Sequence, residues 1–464
     1  MRRFIEMGRA YMKRTLFIKL STTQIIMLSF LITILLGSIL LFLPVSSATG
    51  GSVSYMDALF TATTSVCVTG LVTVPTVSTW SIFGQVVILI LIQVGGLGVI
   101  TIMSMIMIGF HKKMGIGERM LLQDAFNLNT MSGLSEFVRK VVGGTLLVEM
   151  VGAIGYMTVF VPRYGIRGVW ISVFNAVSAF CNAGMDVIAE NSLCDYALNP
   201  MVNVVTCTLI VVSGIGYIVW WDVLNALTKW KTHKLRCFRS MTLHSKIAIG
   251  FTVILIVAGA VSFFVFEYNN PLTMANCSLA DRIQLSVFQS VTTRTAGFAT
   301  IPQENLTNAS ALVSLLLMFI GGSPVGTAGG VKTVTMAVLI MSALATIQDK
   351  NEVSLFGRSI SKQAVSKSVA VVSMAFVIMF ISTLLLAGVT DADLLDIMYE
   401  TVSATATVGL SRNLTASLNT WGKIIIVITM YLGRVGPISL AVAMNMHKEK
   451  KNIVSNPVEM ISIG

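Results

Sequence analysis

Four glycines, Gly70, Gly184, Gly297 and Gly409, each close a short segment rich in Thr, Ser and Ala. The segments read Phe60-Thr-Ala-Thr-Thr-Ser-Val-Cys-Val-Thr-Gly70, Phe174-Asn-Ala-Val-Ser-Ala-Phe-Cys-Asn-Ala-Gly184, Phe288-Gln-Ser-Val-Thr-Thr-Arg-Thr-Ala-Gly297 and Tyr399-Glu-Thr-Val-Ser-Ala-Thr-Ala-Thr-Val-Gly409. Glycine reaches positive φ without steric penalty, so one at a matched place in each segment lets consecutive carbonyls turn inward together. Carbonyl oxygens so arranged are ligands for a cation, because they replace the hydration shell it must shed. The candidate ligands are the backbone oxygens of Val68, Thr69 and Gly70, of Asn182, Ala183 and Gly184, of Thr295, Ala296 and Gly297, and of Thr407, Val408 and Gly409. One such segment alone reads as a tight turn; four in register read as a filter. Cys67 and Cys181, which fall in these segments, are then packing residues rather than redox centres, and the six cysteines show no CxxC spacing.

Composition indicates what holds these segments in place. The chain has 464 residues, 55% hydrophobic and 11% charged, where a soluble domain carries about a quarter charged residues. Apolar stretches at 22–43, 81–109, 141–161, 202–227, 247–266, 311–346, 369–389 and 424–446 are each near or above the roughly 20 residues that cross a bilayer. The aromatics that lead the four segments recur about every 110 residues, the sign of an internal repeat. We therefore expect an all-α integral membrane protein of four tandem helix, pore-loop, helix repeats, eight spans in all, in a pseudo-fourfold arrangement around one pore. A basic leader occupies 1–21. The first unit covers 22–110 with its pore loop at 57–71, and the second 137–228 with its loop at 168–185. The third covers 243–346, with a pore loop at 281–298 and a break at 320–332; the fourth covers 364–446 with its loop at 393–410, and a tail runs over 447–464.

The apolar run from Asp57 to Val66 would rise only about 15 Å as a helix, so it must re-enter rather than span. Irregular backbone at membrane depth is tolerated only where it is buried in protein or lines a watery path. Ser54-x-x-Asp57, Ser278-x-x-Asp281 and Thr390-x-x-Asp393 resemble capping boxes that start the short helices, while the second unit offers only Gly165-x-x-Gly168. Helices that start this way direct their negative carboxyl ends at the membrane centre, where a bare cation needs them.

The net charge of +11 has a topological cause and does not call for nucleic acid. Of the 32 Lys and Arg, 24 lie in the amino terminus, in 112–140, 229–246 and 350–367, and in 448–451. Basic loops stay cytoplasmic, so both termini are expected inside, as an even number of spans requires. The opposite side keeps Arg163, Arg167, Arg282, Arg294, Arg412 and Lys423 against eleven acids, Glu267 and Glu400 among them. Such a surface concentrates cations at an entrance. His111, His233, His244 and His447 all fall in or beside cytoplasmic segments, so no buried imidazole cluster is expected to hold a metal or relay protons. Paired carboxylates of the kind a membrane-embedded transferase needs are also missing, and the chain is not read as an enzyme.

Between Ile320 and Lys332 lie five glycines and a proline, Gly321, Gly322, Pro324, Gly326, Gly329 and Gly330, a density that does not sustain a helix. We expect an unwound loop beneath the filter. Gly95-Gly96-x-Gly98 and Gly214-x-Gly216 are milder weak points at comparable depth. Lys332 and Arg434 are charges inside apolar spans, where ionisable residues are functional by default. Arg434 is expected to raise a barrier to cations and to donate hydrogen bonds to the loop; Lys332 either joins it or snorkels to the cytoplasmic face.

The four single-glycine loops, the Thr293-Arg-Thr-Ala-Gly297 stretch and the glycine-rich break resemble the Trk/Ktr/HKT superfamily of potassium transporters over nearly the whole chain, and look most like the bacterial Ktr membrane subunit. The resemblance implies potassium uptake across the plasma membrane of a bacterium, with K⁺ held at the filter carbonyls and a movable loop in the third unit. Plant relatives with serine at the first filter position favour sodium; here that position is Gly70. It also implies a homodimer, surrounded by membrane lipids, seated on a cytoplasmic ring of nucleotide-binding RCK subunits. This chain is then expected to need no cofactor of its own, with nucleotide carried by the partner. A Na⁺- or H⁺-coupled symporter using the same pore is the alternative, although a carrier more often shows inverted repeats and midplane acids.

Overall fold

The computed structural model describes residues 21–51, 53–109, 115–125, 133–228, 241–350 and 352–436. The leader other than Ser21, the tail, and the basic segment 229–240 lie outside the described residues, as do His111, His233 and His447. What is described is almost wholly helical, with one small antiparallel hairpin of β1 (Ser354–Leu355) and β2 (Arg358–Ser359).

Four long apolar helices dominate: α1 (Thr22–Phe42), α6 (Leu134–Tyr164), α10 (Leu243–Glu267) and α14 (Lys362–Ala387). By length and composition each is able to cross a membrane. They expose ridges of Leu, Ile, Val and Phe, such as Leu36, Leu147, Val257 and Leu384, which suit lipid and would be costly in water. After each comes a short helix that is buried over at least half of its length. These are α2 (Tyr55–Cys67), α7 (Ile166–Cys181), α11 (Leu279–Thr292) and α15 (Leu394–Ala406).

A second apolar helix completes each unit. In the first and second units it is broken into α3 (Ile82–Leu97) with α4 (Val99–Gly109), and α8 (Pro200–Gly214) with α9 (Tyr217–Thr228). In the third unit α12 (Asn308–Phe319) and α13 (Thr333–Ile347) flank a thirteen-residue break, and the fourth unit has α16 (Thr420–Val435). The connection between the first and second units carries α5 (Ile116–Ala125). Each short helix packs inside its own unit and also against the second helix of the preceding unit: α7 on α3, α11 on α8, α15 on α12, and α2 back on α16. That circuit closes on itself, and a salt bridge from Lys423 of α16 to Asp57 of α2, 2.7 Å, pins the closure between the last unit and the first.

Two local expectations need correction. The breaks in the first and second units are not mild, for the helix turns by 95° between α3 and α4 and by 98° between α8 and α9. The cause is a single glycine at positive φ in each, Gly98 at 87° and Gly216 at 93°, which a helix cannot absorb. The start of α15 is also different from the expected Thr390 box. Asp393 is its N-cap residue, without a side-chain cap bond, and the acid of the first turn is Asp396. Ser54 and Ser278 do cap α2 and α11, accepting from the amides of Met56 and Asp281, and Gly165 starts α7 with no side-chain cap.

Candidate functional site

The carboxyl ends of α2, α7, α11 and α15 deliver the four predicted glycines to one place. A Cβ built on Gly70 would lie 2.5 Å from the Ala183 carbonyl oxygen, one on Gly184 2.7 Å from that of Ala296, one on Gly297 2.5 Å from that of Val408, and one on Gly409 2.2 Å from that of Thr69. Each glycine thus abuts the residue preceding the next glycine, and the series closes into a ring. All four have positive φ, from 65° to 100°, so both the backbone conformation and the space exclude a side chain.

Three of the loops are built alike. Val68, Asn182 and Thr407 each end their helix in the left-handed conformation. The next amide then turns back to the helix: Thr69 N donates to Thr64 O, Ala183 N to Ser178 O and Val408 N to Ser403 O, each at 2.8 Å. A hydroxyl from the same helical position finishes the turn. Thr64 Oγ1 accepts from Gly70 N at 2.9 Å, Ser403 Oγ from Gly409 N at 3.0 Å, and Ser178 Oγ from Met185 N at 3.1 Å. The third loop, one residue shorter, departs from this plan. Its left-handed residue is Thr295, and Thr292 Oγ1 donates past the glycine to Phe298 O at 2.6 Å.

Below the ring lies the break between α12 and α13. Its stem is zipped by three backbone bonds, Gly321 N to Val331 O, Val331 N to Phe319 O and Thr333 N to Gly322 O, at 2.9–3.1 Å. Its interior is held from outside. Ser323 N donates to Gly214 O and Val325 O accepts from Tyr217 N. Thr327 Oγ1 donates to Phe180 O at 3.0 Å and lies 3.1 Å from the Asn182 side-chain amide, while Gly329 N donates to Thr295 Oγ1 at 3.1 Å. Arg434 donates to Thr327 O at 2.8 Å and to Gly95 O at 2.5 Å, so one guanidinium bridges this loop to the first unit. Lys332 Nζ turns back onto Ala328 O at 2.6 Å and caps its own loop.

Comparison with known proteins reaches the same place. A family model for TrkH, a cation transport protein, matches residues 11–455. The chain belongs to the TrkH cation-transport family. It is 37% identical to the Ktr system potassium uptake protein B of Bacillus subtilis over 91% of this chain and 92% of that one. It is 35% identical to the potassium/sodium uptake protein NtpJ of Enterococcus hirae, over 98% and 99% of the two chains. The crystal structure of the potassium transporter TrkH from Vibrio parahaemolyticus superposes with a TM-score of 0.69 at 15% identity, covering 89% of this chain and 84% of that one, which establishes the fold. The TrkH family is one of transporters, and this chain is not an enzyme.

Several residues of this TrkH-family chain lie elsewhere than the sequence suggested. Arg294 does not belong to the outer surface. It is buried beneath the ring, and its Nη2 donates to Gly321 O at 3.1 Å. Glu267 and Glu400 are also not surface acids, for both are fully buried. Glu267 accepts from Thr273, Asn270 and both donors of Thr307, and Glu400 accepts from Ser411 and Thr415. Glu149 of α6 is buried and accepts from Gln93 of α3 at 3.3 Å. Cys67 and Cys181 are buried, and Cys194 and Cys277 are free. No group of three or more His, Cys, Asp or Glu able to hold a metal ion occurs among the described residues. The hydroxyls of Thr64, Ser178, Thr292 and Ser403 were missed. Their signal is a hydroxyl six positions before the glycine, or five in the short third segment.

Proposed function

We propose that this chain is the potassium-conducting subunit of a bacterial uptake system, passing dehydrated K⁺ through the ring closed by Gly70, Gly184, Gly297 and Gly409. The ring itself carries the reading. Four backbone turns meet with no room for a Cβ, and each follows the carboxyl end of a short helix, whose partial negative charge favours a cation. The ligands are the carbonyls of Val68, Thr69 and Gly70 and their counterparts through Gly409. The relative from B. subtilis is named a potassium uptake protein and that from E. hirae a potassium/sodium uptake protein, and potassium, common to both names, is the ion chosen here.

In this reading four repeats surround the pore in pseudo-fourfold fashion, and the second helix of each unit, bent or broken, counts as one span, giving eight. The circuit of α2, α7, α11 and α15 supports that count. Both termini are cytoplasmic, on the side of the basic segments. The loop from Gly321 through Pro324, Gly326 and Gly330 to Lys332 is the gate. Arg434 latches it and places a positive charge on the ion path, an electrostatic barrier while the latch holds. Regulation falls to a separate cytoplasmic nucleotide-binding ring, with the membrane subunit a homodimer; three similar proteins are named for a Ktr system. A cell lacking its own potassium uptake, grown at low external K⁺, tests the assignment. The wild-type chain restores growth, and Gly70→Ser loses the preference for K⁺ over Na⁺. A wild-type chain that is expressed in the membrane and carries no K⁺ would overturn it.

A further inference from the structure

The third filter loop is supported differently from the other three. Where Gly70 and Gly409 give their amides to a hydroxyl of their own short helix at 2.9 and 3.0 Å, Gly297 N has only the Thr292 carbonyl at 3.5 Å. The Thr292 hydroxyl is turned to Phe298 O instead, to which it donates at 2.6 Å. What the loop lacks at home it finds below. Arg294 reaches Gly321 O at one end of the intramembrane loop, and the next residue, Thr295, accepts from Gly329 N near the other end. Two consecutive residues of one filter strand therefore hold both ends of the gate. Arg294 is 7% exposed and its Nε has no partner, so the bond to Gly321 O is its main anchor. It borders a small cavity lined by Gly214, Thr252, Val291 and Gly322.

We propose that Arg294 and Thr295 couple the gate to the filter, so that the position of the intramembrane loop sets the carbonyl register of the third strand and with it the discrimination of K⁺ from Na⁺. Arg294 is a positioning residue, since it touches the gate and not the ion. The proposal rests on the filter and gate reading above. Selectivity by carbonyls depends on their number and spacing about the ion. A strand whose own support is weak yields first when a borrowed bond is lost.

The test measures K⁺ and Na⁺ uptake into liposomes holding purified wild-type chain, Arg294→Gln, Thr295→Val and Gly321→Ala. The last changes no filter residue but disturbs the loop from within, because its Cβ would lie 2.0 Å from Gly329 O. The expected result is a rise in the Na⁺:K⁺ rate ratio of about fivefold in each variant, the equivalent of one hydrogen bond of roughly 1 kcal/mol, with Arg294→Lys partly restoring the wild-type ratio. Size-exclusion profiles identify any variant that fails to fold, and the other two then carry the measurement. If the folded variants change both rates by the same factor, the coupling is wrong and Arg294 is only a gate latch. If wild type itself carries no K⁺, the functional reading fails, which is a different result.

Discussion

The glycine ring and the loop beneath it are both irregular backbone among apolar helices, yet they are held in opposite ways. The first, second and fourth filter loops fold back on their own short helices, through a left-handed residue and a hydroxyl that lies six positions before the glycine. The loop between α12 and α13 keeps to itself its stem and the Lys332 cap on Ala328 O. Its interior hangs on Gly214, Tyr217 and Phe180 of the second unit and Arg434 of the fourth, with Thr295 of its own unit as a further acceptor. Bonds within one unit survive a shift of that unit, whereas bonds borrowed from others break as soon as units move apart. The same covalent material thus gives a fixed element in one place and a releasable one in the other.

The comparison breaks first if the ring tolerates a side chain. Gly409→Ala puts a Cβ 2.2 Å from Thr69 O at a φ of 100°, and neither strain has a flexible neighbour to absorb it. We expect K⁺ uptake in proteoliposomes to fall by about 100-fold, near 3 kcal/mol of overpacking and backbone strain. Near-normal uptake would mean that the ring is not the narrow path. The borrowed bonds predict a change of the opposite sign. Arg434→Gln removes two charge-assisted bonds and the intramembrane charge, so uptake rises, by about tenfold. A slower Arg434→Gln protein at equal expression would make the arginine part of the support rather than the latch.

How much of this was legible in the sequence follows from what sets each feature. The ring glycines and the break at 320–332 were readable because backbone demands admit few residue types, and glycine at a fixed spacing is conspicuous. Ser403 and Thr64 were not, since they stand among other hydroxyls of the same segments and only the helical phase at which the chain turns back selects them. Arg294 was assigned to the outer side by counting spans, but a re-entrant loop has no side. The chain instead carries its side chain inward, to Gly321 O. Gly98 and Gly216 were seen as weak points, and the size of each bend came from the φ of one residue, which composition does not carry. The ends expected at 110 for the first unit and at 446 for the fourth, with the tail at 447–464, lie outside the described residues.

Two smaller effects sharpen the contrast. Ser403→Ala leaves the Gly409 amide without its hydroxyl acceptor, and the loss of one bond of roughly 1 kcal/mol lowers K⁺ uptake about fivefold. An equal loss in Ser417→Ala, whose hydroxyl only meets its own helix at Leu414 O, would show that the effect belongs to polar deletions in general.

The last prediction concerns the seam where the fourth unit meets the first. Lys423 and Asp57 are 17% and 15% exposed at 2.7 Å, more enclosed than the surface pairs that contribute nothing measurable, yet open enough for water to screen them. Asp57 also sits in the first turn of α2, where the helix dipole favours its charge with or without the lysine. Lys423→Met should therefore cost about 1 kcal/mol or less, seen as a drop of a few degrees in the melting temperature of the detergent-solubilised protein, with K⁺ uptake within about twofold of wild type. A collapse of uptake in a chain that still melts normally would mean that the ring is kept closed by this seam and not by the turns of each loop on its own helix.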